Sequence, residues 1–335
     1  MRAVRVDGFG GPEVLVAREV PEPEAGPGQV LVEVAAANVM YLDTLVRGGW
    51  GLDYFPVEPP YVPGAGVAGT VVRTGEGVDP ARVGAVVVTD TGRADPEGGV
   101  PVPPFGGYAQ RVAVPASGLV DVPEGLDPKQ ALALLHDGPT ALSLRHSGGF
   151  GPGRWVLVLA AAGGAGSLAV QLARAAGARV VGAAHGPEKL AFARGLGAEA
   201  TVDYSVPGWV ERVREATGGR GVDVVLDGSG GDLGEAAFGA LADGGRFLGY
   251  GSAGGRFSQV DAEEAERRGI TVLGLFDLES EEDGEPNGAV HQILELARSG
   301  QVAPHVGLTV PLERAEEAHR ALEERRVLGK VLLVP

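Results

Sequence analysis

Residues 157–185 read LVLAAAGGAGSLAVQLARAAGARVVGAAH, and this stretch decides the fold. An apolar strand ending at Leu159 runs into Ala161-x-Gly163-x-x-Gly166 and straight on into a helical pattern, after which a second apolar strand begins. The arrangement is the turn that binds dinucleotides, with its first glycine replaced by alanine. An unbranched residue at Gly163 lets the backbone approach a pyrophosphate, and Gly164 and Ala165 continue that turn. Gly166 lets the helix lie close against the strand. The helix start then points unpaired N–H groups and its positive dipole end at the phosphates.

Outward from this turn the pattern repeats. Apolar strands are expected at Trp155–Leu159, Arg179–Ala184, Ala200–Tyr204, Val222–Leu226, Arg246–Tyr250 and Ile270–Leu275, with helices between them. The intervening helical stretches are Ser167–Ala176, Glu188–Leu196, Trp209–Ala216, Leu233–Leu241 and Asp261–Arg268. This alternation predicts an α/β Rossmann sheet, doubly wound and parallel, with helices on both faces. On the N-terminal side the chain reads differently. Short β segments at Val30–Ala35, Val67–Arg73, Gly84–Thr89 and Tyr108–Val114 are cut by Gly and Pro, which suggests a barrel-like all-β unit. Asp90–Phe105 reads as a loop, and Asp127–Leu144 as helix. Beyond the sheet come an acidic loop (Asp277–Glu285), helices near Val290–Arg298 and Leu312–Arg325, and a last strand, Lys330–Val334.

A chain of 335 residues has room for two such cores. Its 28 basic and 44 acidic residues give a net charge of −16, so a phosphate backbone would be repelled and nucleic acid is not an expected partner. An anionic cofactor must then be held by backbone amides and a few local cations. There is no cysteine, which excludes disulfides, thiolate nucleophiles, iron–sulfur clusters and cysteine-ligated zinc. The N-terminal stretch lacks the apolar core of a signal peptide, and no apolar run reaches membrane-spanning length. A cytoplasmic location without membrane contact is expected.

The end of the second strand bears on which cofactor binds. An NAD site usually carries Asp or Glu there for the ribose 2′-OH. Here the chain reads Val181-Gly182-Ala183-Ala184-His185-Gly186, with no acid before Glu188. His185 and Lys189 stand where a 2′-phosphate would be met, so NADPH is the expected cofactor.

Further motifs carry a resemblance. They are Pro63-Gly64 with Val67-Ala68-Gly69, Gly106-Gly107-Tyr108-Ala109, Gly138-Pro139-Thr140-Ala141, Val202-Asp203-Tyr204, Asp227-Gly228-Ser229-Gly230, Tyr250-Gly251-Ser252 and Gly329-Lys330-Val331. In this order, and together with the glycine turn, they make the chain resemble the zinc-independent quinone oxidoreductases of the medium-chain dehydrogenase/reductase superfamily, the group that includes zeta-crystallin. The resemblance implies a GroES-like β-barrel domain over 1–123, a Rossmann NADP-binding domain over 124–276, and a C-terminal segment, 277–335, that completes the first. It puts Thr140 near the nicotinamide carboxamide, Gly163–Ala165 at the pyrophosphate, and Gly182 and Lys189 at the 2′-phosphate. Tyr204 is expected against the adenosine, and Ser229, Gly251 and Ser252 toward the nicotinamide ribose. Asn38, Phe276 and Lys330 complete the implied cofactor contacts.

The superfamily's zinc enzymes need Cys and His at two places that here hold Met40 and Ala65, so the metal list is expected to be empty. The Asp43-x-x-x-Arg47-x-Gly49 stretch carries Met40 where relatives commonly have Asn, and Trp50 where a Tyr often follows. Tyr41, Trp50 and Tyr54 are the candidate substrate-facing residues. The implied activity is NADPH-dependent hydride transfer to a small quinone or other electron-poor conjugated carbonyl. Enal, enone or enoyl-thioester reduction and a non-catalytic NADPH-binding role are the alternatives. A homodimer joined through Gly269–Phe276 is expected by analogy.

Overall fold

A computed structural model describes residues 1–52, 57–92, 106–278 and 287–335. The chain forms two compact units. One comprises Met1–His136, Gly284–Ser299 and Pro304–Pro335, and the other Asp137–Asp283 and Gly300–Ala303.

The second unit is built around a six-stranded parallel sheet. Its strands are β1 (Trp155–Leu159), β2 (Arg179–Ala184), β3 (Ala200–Asp203), β4 (Val222–Asp227), β5 (Leu241–Gly249) and β6 (Thr271–Gly274). They lie in the order β3-β2-β1-β4-β5-β6, all parallel. Helices α1 (Gly164–Ala175), α2 (Pro187–Gly195), α3 (Trp209–Ala216), α4 (Gly231–Phe238) and α5 (Ala262–Arg267) make the crossovers.

Alternation along β1 shows why both faces are covered. Trp155, Leu157 and Leu159 enter one core with Trp209, Val213, Ala237 and Phe238. Val156 and Val158 enter the other with Ala169, Val170, Ala173 and Ala193. A strand that is apolar on both sides suits the centre of a parallel sheet. β5 starts earlier than its apolar run suggests, because Leu241 pairs with Val222 ahead of an irregularity in register. The segment Gly300–Ala303 is tied to this unit by a two-way amide pair. Gln171 Nε2 donates to the Ala303 carbonyl at 3.0 Å, and the Ala303 N–H donates to Gln171 Oε1 at 2.8 Å.

The first unit holds a seven-stranded sheet. Strands Val306–Pro311, Lys330–Val334, Gln29–Val39, Gly66–Thr74, Val86–Asp90 and Val120–Asp121 follow one another, and Arg111–Pro115 pairs with Gln29–Val39. Arg2–Val6 and Leu15–Glu19 form a separate antiparallel pair. Valines dominate the core: Val4, Val6, Val30, Val32, Val67, Val71, Val114 and Val331 are all buried. This is the GroES-like half of the fold.

The helical stretch read as Asp127–Leu144 is two helices, Pro128–Leu134 and Asp137–Gly148. The first packs on strands Gln29–Val39, Gly66–Thr74 and Val86–Asp90. The division between units therefore falls at His136/Asp137, later in the chain than the 123/124 boundary read from sequence. Most of the two stretches read as loops, Asp90–Phe105 and Asp277–Glu285, lies outside the described residues. No described helix is long and apolar enough to cross a membrane.

Candidate functional site

The C-terminal edge of the parallel sheet carries the cofactor candidates. After β1 the backbone turns through Ala160 at φ 51°, and the Gly163 N–H donates to the Ala160 carbonyl at 2.9 Å. The two motif glycines then have different reasons. A Cβ on Gly166 would come 2.4 Å from the Ala160 carbonyl oxygen, so glycine is required for α1 to start against the strand. At Gly163 (φ −81°) a Cβ would meet nothing closer than that oxygen at 3.3 Å. The fold thus demands glycine far less at Gly163 than at Gly166. The space it would fill lies at the start of α1, whose N-cap makes no side-chain hydrogen bond. The first N–H groups of a helix have no partners within it, and Gly163, Gly164 and Ala165 are only partly buried. This cradle fits an anionic diphosphate.

Two loops from the other side of the switch point face the same edge. Asp227, at the end of β4, is fully buried. It accepts from the Ser229 and Gly230 N–H groups at 3.0 and 2.9 Å and from Ser258 Oγ at 2.6 Å. Burial raises its pKa, and these three donors pull in the opposite direction. The Gly251 N–H donates to the Asp227 carbonyl at 3.1 Å, and a Cβ on Gly251 would come 2.3 Å from the Gly228 carbonyl oxygen. Asp227 and these glycines lock the two loops together and fix where Ser229 and Ser252 stand. Ser229 Oγ is buried with no hydrogen-bond partner among the described residues. An unpartnered buried hydroxyl at a sheet's C-terminal edge fits a ligand contact.

The tip of β2 adds two features to its sequence reading. Gly182 is buried in mid-strand, where a Cβ would lie 3.1, 3.3 and 3.5 Å from the methyls of Ala193, Ala198 and Ala161. Close packing of helix on strand explains why this position is glycine. A carboxylate also stands at the tip after all, supplied by β3. Asp203 accepts from the Gly186 N–H at 3.0 Å and from Ser205 N–H and Oγ at 2.9 and 2.6 Å. It also lies 4.0 Å from His185 Nδ1. Ser205 above all, then Gly186 and His185, hold its pKa low. These donors already engage its oxygens. His185 is exposed and Lys189 half-buried on the first turn of α2. Tyr204 packs edge-on to Trp209 with ring centroids 6.5 Å apart, and its N–H donates to the Ala184 carbonyl at 3.3 Å, so it belongs to the same corner.

The other predicted residues lie on other elements. Thr140 lies in the first turn of the helix Asp137–Gly148. Phe276 is 92% exposed in the turn after edge strand β6. Lys330 is buried in the first unit, where its charge acts on Asp43. Tyr41 opens the helix Tyr41–Arg47, Trp50 is 39% exposed just beyond it, and Tyr54 lies outside the described residues.

The first unit contains polar networks that sequence reading missed. Tyr108 is completely buried, and its hydroxyl lies 2.9 Å from Asp43 Oδ2 and 3.0 Å from His319 Nε2. Arg47 Nη1 lies 3.1 Å from His319 Nδ1, and Nη2 reaches Glu323. Donor chemistry fixes the directions. Arginine can only donate, so Nδ1 accepts, the neutral ring carries its proton on Nε2 and donates to Tyr108, and Tyr108 donates to Asp43. The Met40 N–H donates to the same carboxylate oxygen at 2.9 Å. Burial, with the Arg47 charge, pushes His319 down to about 3, in keeping with this neutral form. Burial pushes Asp43 up to about 6 against its donors. A second cluster joins Asn38, which is fully buried, to His136 and Asp90. Tyr108, Asp43, Arg47 and Asn38 had stood out in the sequence, though not as partners of one another; His319, Glu323, His136 and Asp90 are single polar letters in unremarkable contexts.

Comparison with known proteins agrees with these features. Residues 26–124 match the family model described as alcohol dehydrogenase GroES-like domain, and residues 164–286 the one described as zinc-binding dehydrogenase. A 2-haloacrylate reductase from a Burkholderia species is 35% identical over 97% of this chain and 96% of its own length. A quinone oxidoreductase of Pseudomonas aeruginosa is 31% identical, covering 100% of this chain and 99% of its own. Among solved structures, an NAD-dependent alcohol dehydrogenase superposes with a TM-score of 0.88 at 35% identity. A mycobacterial protein complexed with NADPH superposes with 0.86 at 33%, and both matches cover the whole of each chain. With its GroES-like unit and its sheet of Rossmann order, the chain belongs to the quinone oxidoreductase family of the medium-chain dehydrogenase/reductase superfamily.

Proposed function

We infer that this protein transfers hydride from NADPH to a quinone or another electron-poor conjugated carbonyl, without zinc. The observation that carries the reading is the pair of fit features on one sheet edge: the start of α1 at Gly163, which has no side-chain cap, and the Ser229 Oγ, buried without a partner among the described residues. In this reading the Gly163, Gly164 and Ala165 backbone holds the pyrophosphate. Lys189 and His185 take the 2′-phosphate, and Tyr204 lies against the adenosine. Ser229, Ser252 and Thr140 take the nicotinamide side. NADPH is favoured although Asp203 stands close by, since its oxygens are already engaged by Gly186 and Ser205. The bound cofactor supplies the hydride; the chain's part is to hold it and orient the acceptor.

Met40 and Ala65 offer no zinc ligand pair, and an electron-poor acceptor does not require a strong Lewis acid at its oxygen. The relatives support both acceptor classes, one being named for quinones and another for haloacrylate. For the assembly, the edge strand β6 with Val272 at 40% and Phe276 at 92% exposure supports a homodimer through Gly269–Phe276. The decisive experiment follows NADPH absorbance with a panel of quinones, enones and enals beside saturated alcohols with NADP. Reduction of the conjugated acceptors and inert alcohols are expected. Good alcohol oxidation with inert quinones and enones overturns the reading, and tight NADPH binding with no turnover makes the protein a non-catalytic binder.

A further inference from the structure

Strands β2 and β3 stop level with each other at the C-terminal edge of the parallel sheet. Asp203 pairs in register with Ala184. An acid on β3 thus stands beside the last residue of β2, one strand away from where an NAD enzyme usually carries it. Its carboxylate engages both of the loops that follow. Oδ2 accepts the Gly186 N–H at 3.0 Å, from the loop after β2. Oδ1 accepts twice from one residue of its own loop, the Ser205 N–H at 2.9 Å and the Ser205 Oγ–H at 2.6 Å. The hydroxyl is the donor, because an ionised carboxylate can only accept. It is also the largest of the influences that keep this carboxyl ionised. Three of the carboxylate's four lone-pair sites are filled, two of them by Ser205, which closes Oδ1.

Ser205 is held in place by α3. Arg212 on that helix donates through Nη2 to the Val206 carbonyl at 2.9 Å and the Asp203 carbonyl at 3.4 Å, and through Nη1 to the Pro207 carbonyl at 3.0 Å. The Val206 N–H closes the turn on the Asp203 carbonyl at 3.3 Å. An arginine that ties three carbonyls of one short loop fixes its shape, and with it the direction of the Ser205 hydroxyl. The other charged groups at this corner are His185, whose Nδ1 lies 4.0 Å from Oδ1, and Glu188 and Lys189 on the first turn of α2. The Asp203 side chain is 23% exposed and Ser205 is exposed, so a ligand at the end of β2 can reach the pair.

We propose that Ser205 is the specificity-determining residue for the cofactor: by closing Oδ1 it keeps Asp203 from accepting a ribose 2′-OH, and so leaves this corner to the 2′-phosphate of NADPH. This rests on the cofactor reading above. In a sheet of this order the 2′ position is read at the end of the second strand, by an acid that accepts from the 2′-OH or by cations that meet the phosphate. Here both kinds of group are present, and the acid is occupied. Two effects of the hydroxyl act in the same direction. It fills a place on the oxygen nearest His185, which a 2′-OH would need. Its O–H dipole also turns its positive end to the carboxylate, which softens the repulsion of a phosphate. Without it the same carboxylate attracts a 2′-OH more strongly and repels a 2′-phosphate more strongly.

The test measures dissociation constants directly, from the fluorescence of NADPH and of NADH bound to the protein with no acceptor added. The proteins are wild type, Ser205→Ala, Ser205→Thr, Asp203→Asn and the variant carrying both Ser205→Ala and Asp203→Asn. Ser205→Ala is expected to bind NADH more tightly and NADPH more weakly, moving the ratio of the two constants on the order of tenfold, as one hydrogen bond to a charged group does. Ser205→Thr, which keeps the hydroxyl, should keep the wild-type ratio. On top of Asp203→Asn, Ser205→Ala should no longer favour NADH, because the charge it uncovers is gone. Equal changes in both constants on Ser205→Ala, or a shift that persists without the carboxylate, overturn the proposal and leave NADPH binding by wild type standing. A wild type that binds neither cofactor, or binds NADH as tightly as NADPH, overturns the reading beneath it as well. Should the Asp203→Asn proteins fail to fold, Ser205→Ala against Ser205→Thr decides: the same ratio in both overturns the proposal.

Discussion

Tyr108→Phe removes one oxygen from the centre of the first unit and nothing else. The ring stays, so no cavity is made and the edge-on contact with His319, at 5.8 Å between centroids, is kept. Two buried groups lose their partner at once. The Asp43 carboxylate loses a donor at 2.9 Å, and His319 Nε2–H loses its acceptor at 3.0 Å. A stranded neutral donor costs about 1–3 kcal/mol and a hydrogen bond to a charged group about 1.5–3 kcal/mol, so the expected loss at neutral pH is about 3–5 kcal/mol. That corresponds to a Tm lower by roughly 6–20 °C for a unit of this size.

The loss should also depend on pH, and its sign follows from Asp43. Its folded pKa, about 6, lies above the ordinary carboxylate value because burial disfavours the charge. A raised folded pKa means that the group's stability contribution is fully present at low pH and is lost as pH rises through about 6. Tyr108 donates to the ionised form and thus restrains that rise, so in the variant the folded pKa moves higher still. Tyr108→Phe therefore costs more at pH 8 than at pH 5, where a protonated Asp43 needs the donor less. Thermal unfolding of both proteins at the two pH values measures this. A loss under about 1 kcal/mol, or one of equal size at both pH values, would show that the hydroxyl does not serve an ionised Asp43.

Three further outcomes are expected. Lys189→Ala should raise the KM for NADPH roughly tenfold, as loss of a charge-assisted phosphate contact would, and leave NADH kinetics nearly unchanged; wild-type kinetics that are equal with both cofactors would contradict this. Gly163→Val should abolish turnover with a smaller fall in Tm than Gly166→Ala, because a Cβ would lie 3.3 Å from the Ala160 carbonyl oxygen at the first position and 2.4 Å at the second; thermal scans of the two variants separate these effects. Dialysis against a chelator should leave activity intact, and activity lost to the chelator and restored by zinc would refute the metal-free reading.

What the sequence disclosed of the fold was local. Strands β1 and β2 coincide with the apolar runs read from the chain, as does helix α3, because each is a continuous stretch bounded by glycine or a turn. Boundaries were missed where tertiary pairing overrides composition. β5 begins at Leu241 because that residue pairs with Val222, and the helical run from Asp127 breaks before Asp137, where its first part, packed on strands of the first unit, gives way to the second unit. No periodicity in the segment carries that information.

The site divides in the same way. The glycine turn is legible because Ala160, Gly163 and Gly166 act within seven residues, and Gly166 must be glycine to clear its own strand. Gly182 shows the complementary limit: the three alanine methyls that require a glycine there come from separate stretches, and only packing reveals them. Asp203 reaches the tip of β2 from the next strand, so counting along the chain from the glycines could not find it. His136 shows the limit most sharply. Its partners stand 46 and 98 positions away, and what joins them is the register of three strands over Gly66, which has no side chain. A polar cluster assembled across strands leaves no spacing to read; the sign that sets it apart is the buried Asn38 oxygen, which has no partner among the described residues.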